Sequence, residues 1–247
     1  DHQYYWNKAN KIDHNMFAKA DYKFTNNTNL YLDLQRRNIE YTFTGPDEYN
    51  NMLDQEVNLS FFNPKFGLFH NLNNQQSVYV SFAVANKEPN RNDYVESTPN
   101  SRPKHETLYD TEIGYKKVGD NINFNINFYQ MLYENQLVLT GKINDVGAYT
   151  RTNIKDSYRR GLELMGSLKL NQSLKWSANL TLSENKINEY TEYVDNWDNW
   201  GQEEINHKNT DLAFSPNIIW SSLITYKLNK NINVEFISKY VGKQFID

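Results

Sequence analysis

Polar and apolar residues alternate along most of this chain. In residues 119–130, GDNINFNINFYQ, Asn121, Asn123, Asn125 and Asn127 interleave with Ile122, Phe124, Ile126 and Phe128. A strict period of two predicts a strand with one polar and one apolar face. The pattern recurs at Leu174, Trp176, Ala178, Leu180 and Leu182, which oppose Lys175, Ser177, Asn179, Thr181 and Ser183. It returns at Ile232, Val234 and Phe236 against Asn231, Asn233 and Glu235, and at Met16, Ala18, Ala20, Tyr22 and Phe24 against Phe17, Lys19, Asp21 and Lys23. Ten strands are predicted, near 14–24, 29–44, 57–70, 76–87, 106–118, 121–139, 157–170, 174–190, 216–228 and 231–244.

The connections between these strands alternate in length. Short, turn-forming stretches lie at 25–29, 72–76, 118–121, 170–173 and 228–231, rich in Asn and with Gly or Asp where tight hairpins need them. Long polar stretches lie between them, at 45–56, 88–105, 140–156 and 190–215. In an antiparallel meander this order collects every short turn at one end and every long loop at the other. That is the layout of an outer-membrane barrel, which turns tightly on the periplasmic side and loops widely outside. Several strands exceed the five or six residues usual in soluble sheets. They reach the ~9–11 tilted residues that cross a bilayer. Aromatics gather near strand ends (Tyr41 and Phe43, Phe61 and Phe62, Tyr129 and Tyr133, Tyr190 and Tyr193, Tyr240 and Phe245), as in an interfacial girdle. Ordinary β-enrichment of Tyr and Phe accounts for part of this.

Composition narrows the choice. The mean hydropathy is −0.82, yet 15% of the 247 residues are aromatic. A disordered chain would be poor in aromatics; sheets wet on one face fit both values. A net charge of −4 gives no sign of a nucleic-acid partner. There is no cysteine, so disulfides and thiolate metal sites are excluded. No apolar run is long enough for a transmembrane helix. Asp1 leads straight into polar sequence with no signal peptide, so the chain reads as mature, truncated or internal.

On this reading Ile122, Phe124, Ile126, Phe128, Trp176 and Leu180 face lipid. Asn121, Asn123, Asn125, Asn127, Arg159 and Glu163 face a hydrated lumen or a plug within it. A closed barrel pairs every backbone group without leaving an edge in the bilayer. A passive outer-membrane porin and a soluble β-sandwich that binds glycans remain open alternatives.

Four stretches resemble the C-terminal part of the barrel of TonB-dependent outer-membrane receptors. Residues 61–94 (FFNPKFGLFHNLNNQQSVYVSFAVANKEPNRNDY) resemble its proline-bearing strand, periplasmic turn, next strand and external segment. In RPKHETLYDTEIGYK, 102–116, Glu106, Glu112, Gly114 and Tyr115 fall at matching places. In SYRRGLELMGSLKLNQSLKWSANLTLSENKI, 157–187, Arg160, Gly161 and Glu163 match an R-x-G-x-E-type hairpin; SPNIIWSSLITYKL, 215–228, matches a Pro-to-Tyr strand. The resemblance implies an all-β, up-and-down antiparallel meander within a transmembrane β-barrel of about 22 strands. Residues 1–247 would be a fragment supplying about ten of these, without the plug or the C-terminal strand. It further implies a receptor that binds a scarce solute outside the cell (an iron chelate, cobalamin or a glycan) and imports it with TonB-derived energy. Its partners would be its own N-terminal plug, the inner-membrane TonB complex acting through that plug, outer-membrane lipid and, in some receptors, a surface lipoprotein. The location implied is integral to the Gram-negative outer membrane, with no catalysis and no cofactor.

The tempting chemistry is sparse. His2, His14, His70, His105 and His207 are scattered without metal-ligand spacing. The pairs Arg159 with Glu163 and Asp110 with Glu112 read as lumen residues that bond each other or a plug, rather than as acid–base catalysts. No nucleophile elbow or phosphate-binding loop is present, so no enzyme is predicted. The loop 191–209 places Trp197 and Trp200 among Asp195, Asp198, Glu203 and Glu204, a set suited to stacking on a flat ligand. Loop packing is the plainer reading. The loop 86–106, with Arg91 and Tyr94, is the second candidate.

Overall fold

The computed structural model describes residues 6–46, 52, 54–97, 100–143 and 149–246. They form one antiparallel sheet of eleven strands: β1 (Lys8–Lys23), β2 (Thr28–Thr44), β3 (Gln55–Asn73), β4 (Gln76–Lys87), β5 (Glu106–Val118), β6 (Ile122–Ile143), β7 (Tyr149–Lys169), β8 (Leu174–Asn196), β9 (Gly201–Asp211), β10 (Ile218–Lys227) and β11 (Asn233–Val241). A short helix, α1 (Arg91–Val95), lies between β4 and β5. Each strand pairs with the next in sequence, except that β8 also pairs with β10 and β9 hangs from β8 alone.

Asparagine side chains close the short turns. Asn171 Oδ1 accepts from Ser173 N (2.8 Å) and Leu174 N (2.9 Å), and Asn229 Oδ1 does the same for Asn231 N and Ile232 N. The side chain mimics a backbone acceptor and fixes the reversal.

The register sorts side chains into rows across the sheet. One row runs Tyr22, Leu30, Leu68, Val80, Ile113, Phe128, Leu162, Leu182, Ile218 and is apolar in all nine strands. The adjacent row, on the opposite face, runs Asp21, Tyr31, Gly67, Ser81, Glu112, Tyr129, Gly161, Ser183. The apolar face is the bare one: Ile113 is 53% exposed, Phe66 52% and Phe128 41%. Asn127 at 7%, Asn185 at 4% and Ser157 at 3% lie buried on the other face. A soluble sheet buries its apolar face; this one does the reverse.

On the polar face, glycine and tyrosine interlock. Tyr31 lies over Gly67, Tyr79 over Gly114 and Tyr129 over Gly161, each pair directly opposite in register. Tyr79 reaches across Gly114 to donate to Asn127 Oδ1 on the next strand but one (2.9 Å). The glycines leave room for these rings.

Three expectations change. There are eleven strands, because part of the predicted loop 190–215 is strand: β8 runs on to Asn196 and returns as β9. Likewise β6 and β7 invade the predicted loop 140–156, where pairing extends to Ile143 and Tyr149. Beyond the apolar band both faces are wet, so alternation disappears while the ladder continues. Finally, Tyr41, Phe43 and Phe61 do not join a lipid belt. They point to the polar face and form a core with Ile39, Val57 and Tyr94 under the 88–105 loop. Tyr129 covers Gly161 on that face as well, whereas Phe62 and Tyr240 are exposed on the apolar face.

Candidate functional site

The long-loop end is built from three segments. The first carries α1. Asn90 caps it through a reciprocal box with Asp93, whose carboxylate accepts from Asn90 N at 2.6 Å. Asp93 also takes a forked pair of bonds from Arg151 on β7, Nε at 2.9 Å and Nη2 at 2.6 Å. On its other flank the segment is held to β1–β3. Glu88 is clasped by Lys11 (2.6 Å) and Arg37 (2.9 Å), and Gln55 Nε2 donates to the carbonyls of Tyr94 and Ser97. Tyr94 is 1% exposed, its ring 5.7 Å from that of Phe43 and edge-on to Tyr41. Its ring is therefore packing for the loop, and no solute can reach it here. Arg91 is exposed and donates to Asn7.

Burial pushes the Tyr94 hydroxyl up to about 12 from its ordinary 10.0. A raised phenol pKa stabilises the docked loop fully below pH 10, and that contribution drains as pH rises towards 12. Phenolate absorbance at high pH should lose one late-titrating tyrosine in Tyr94→Phe.

The second segment is the β6–β7 hairpin. Leu139 and Arg151 line a groove of about 470 Å³ with Asn90, Arg91, Asn92 and Asp93. The third is the β8–β9 hairpin. Gln202 ties it to β6, donating to Gly141 O (2.7 Å) and accepting from Ile143 N (3.1 Å), and it also donates to Asp195 (2.9 Å). Gly141 has φ +76°, and an added Cβ would lie 2.2 Å from Tyr193 O, so the close approach of the two hairpins requires glycine. Trp197 and Trp200 sit at the free tip, 75% and 85% exposed, in a turn where Asn196 Oδ1 accepts from Asp198 N and Asn199 N. His207 bonds Glu192 (2.6 Å) and stacks on Tyr190.

The two candidate loops, about a hundred residues apart, are thus both bonded to one hairpin. Sequence reasoning missed the residues that join them, Arg151 and Gln202; neither sits in a motif. On the polar wall below lie Asn123, Asn125, Asn127 and Glu163, with Asn121 in the turn beneath. Arg159 donates to Ser215 Oγ (2.8 Å) and forms no ion pair with Glu163 among the described residues. That wall has a hollow of about 340 Å³ whose lining includes Glu112, Asn127, Tyr129, Arg159 and Glu163. Among the described residues no group of three or more His, Asp or Glu is placed to hold a metal.

A sheet that bares its apolar face, encloses its polar one and separates short turns from long loops is the wall of an outer-membrane barrel. The family described as TonB dependent receptor-like, beta-barrel matches residues 2–245, and the chain belongs to it. Proteins of this family are transport receptors of the outer membrane and not enzymes. Similar solved structures include the copper transporter OprC (TM-score 0.73, 15% identity, 94% of this chain and 36% of that one). The FrpB iron transporter from Neisseria meningitidis, F3-3 variant, gives 0.68, 17%, 94% and 33%. The siderophore receptor PiuA from Acinetobacter baumannii gives 0.76, 16%, 95% and 34%. The chain therefore spans about a third of the length of these structures. No curated protein matches it.

Proposed function

We propose that this chain is part of the wall of an energy-coupled receptor, integral to the Gram-negative outer membrane, that captures a scarce external solute and passes it to the periplasm. The inverted burial carries this reading, since apolar rows left bare on one face suit lipid and nothing else in such a protein. Ile122, Phe124, Ile126, Phe128, Trp176 and Leu180 then meet the bilayer. Asn121, Asn123, Asn125, Asn127, Arg159 and Glu163 meet the plug or water. The plug would lie on the hollow wall. Asp110 Oδ1 and Asn125 Oδ1 are enclosed without a partner among the described residues, and Glu112 and Glu163 form no ion pair there. These acceptors suit donors on a plug, which the TonB complex would pull.

Solute contact falls to the exposed tip, Trp197 and Trp200 with Asp195 and Asp198, and to Arg91 beside the α1 groove. The same exposed tip could instead seat a surface lipoprotein. The names of the similar structures make a metal ion or metal chelate the first solute to test, ahead of cobalamin or a glycan. The full receptor, expressed in a strain lacking other uptake routes, should import a radiolabelled ferric chelate, and a protonophore should stop it. Uptake that survives the protonophore would make the barrel a passive porin. Replacing Trp197 and Trp200 together by alanine should weaken solute binding about thirtyfold or more, at ~1–3 kcal/mol for each stacked ring. Unchanged binding would remove the tip from the site.

A further inference from the structure

We infer that the bare face carries a built groove for one acyl chain of a phospholipid from the periplasmic leaflet. The groove is a row of small residues between two rows of large ones. Gly166, Ala178 and Ser222 stand opposite one another on β7, β8 and β10. Leu164, Leu180 and Trp220 form one bank, Leu168, Trp176 and Ile224 the other. Phe124 closes the β6 end, opposite Gly166. An open hollow of about 460 Å³ lies over the Gly166 and Ala178 part of the row, its lining running from Ile122 and Phe124 to Leu180 and Trp220. The one hydroxyl in the row is satisfied, because Trp176 Nε1 donates to Ser222 Oγ at 2.8 Å.

The glycine identifies what is missing. Gly67, Gly114 and Gly161, on the polar face, are each covered by a tyrosine that an added Cβ would strike. Gly166, on the apolar face, is covered by nothing: the nearest side-chain atom to an added Cβ is Phe124 Cβ at 3.7 Å. The space above it is left for a group from outside the chain. That group must be largely apolar, because the banks carry no polar side-chain atom apart from the indole N–H groups of Trp176 and Trp220.

Its place names the source. Ile122 opens β6, Trp176 is the third residue of β8 and Leu168 the last but one of β7, so the groove lies at the short-turn, periplasmic end of the apolar band. The row crosses the strands at right angles, so with strands tilted about 45° it is inclined to the membrane normal and a lipid tail can enter it lengthwise. Lys117 pairs with Phe124 across β5–β6 on the same face and forms no ion pair among the described residues. It stands ready for the phosphate.

This inference rests on the lipid-facing reading of that face, and the two can fail separately. Phospholipid retained by the full receptor after extraction and washing in mild detergent would be counted by mass spectrometry. The wild type should keep about one phospholipid. Gly166→Leu with Ala178→Leu, which fills the groove, should lower retention about tenfold, roughly the worth of a few buried methylenes. Lys117→Gln should lower it about threefold, in line with a partly exposed charge contact. The shift in gel mobility on heating would confirm that each variant is folded. No lipid on the wild type, or equal retention by the filled variant, overturns the groove. So would a dimer that dissociates on filling, since the occupant would then be a second copy. A cysteine placed at Phe128 tests the face itself, in a chain with none of its own. If it resists a water-soluble maleimide in vesicles while no lipid is retained, the groove falls and the lipid-facing reading stands.

Discussion

Gly114→Val should cost the barrel about 3 kcal/mol, from ~1–3 for overpacking plus about 1 for a lost hydrogen bond. The new Cβ would lie 2.0 Å from Tyr79 Cε1 and 2.4 Å from Cζ, so the ring as a whole must leave. With it goes the bond from Tyr79 to Asn127, which ties β4 to β6 across the intervening strand. An isolated glycine in a strand is a weak point; here the neighbouring ring restores the missing contact area. The cost therefore belongs to the pair and not to the glycine alone. In a Tyr79→Ala background the same valine should cost much less, because the space it needs has been vacated. A double-mutant cycle on the urea midpoint of the refolded barrel reads this coupling directly. Additive costs would show that Gly114 is required by its backbone and not by the tyrosine.

How far the chain could be read without coordinates depends on where each residue sits relative to the bilayer. Within the apolar band, the proposed lipid on one side and wet lumen on the other impose the period of two. Ile122, Phe124, Ile126 and Phe128 and the asparagines between them were legible for that reason. The register could then be inferred from the turns, because Asn171 and Asn229 fix them locally. Above the band the constraint ends. Strand β9, GQEEINHKNTD, is held by backbone pairing with β8 and shows no alternation to find. The same holds for Tyr41, Phe43 and Phe61, whose enrichment at strand ends suited a membrane belt equally well. Only the folding of α1 across them shows that they are a core. Of the candidate site, the exposed Trp197 and Trp200 could be named from the sequence, while Arg151 and Gln202 act on partners 58 and 61 residues away and carry no local signal.

Arg151→Ala should release α1 from the β6–β7 hairpin while leaving the barrel intact. Asp93 is 6% exposed at its side chain and is served by two donors, the Asn90 backbone and the Arg151 fork. Removing the guanidinium leaves an enclosed carboxylate with half its partners, a loss on the order of 3–5 kcal/mol when no other cation can replace it. The barrel does not bear that cost, because the loop can swing outward and wet the carboxylate. The loss should therefore appear as local opening, with fast hydrogen exchange over α1 and a new proteolytic cut between residues 88 and 105. Heat-modifiable mobility should be unchanged. Arg151→Lys should fall between, since an ammonium supplies the charge but not the planar fork. The contacts on the opposite flank, Glu88 with Lys11 and Arg37, would still hold one end of the segment. Exposure of Arg91 and the α1 groove would then depend on a hinge at that clasp, and solute affinity should fall in step with the exchange rate across the series Arg, Lys, Ala. An affinity that stays constant while α1 opens would separate the loop from the binding site and leave the tip of the β8–β9 hairpin as the sole candidate contact.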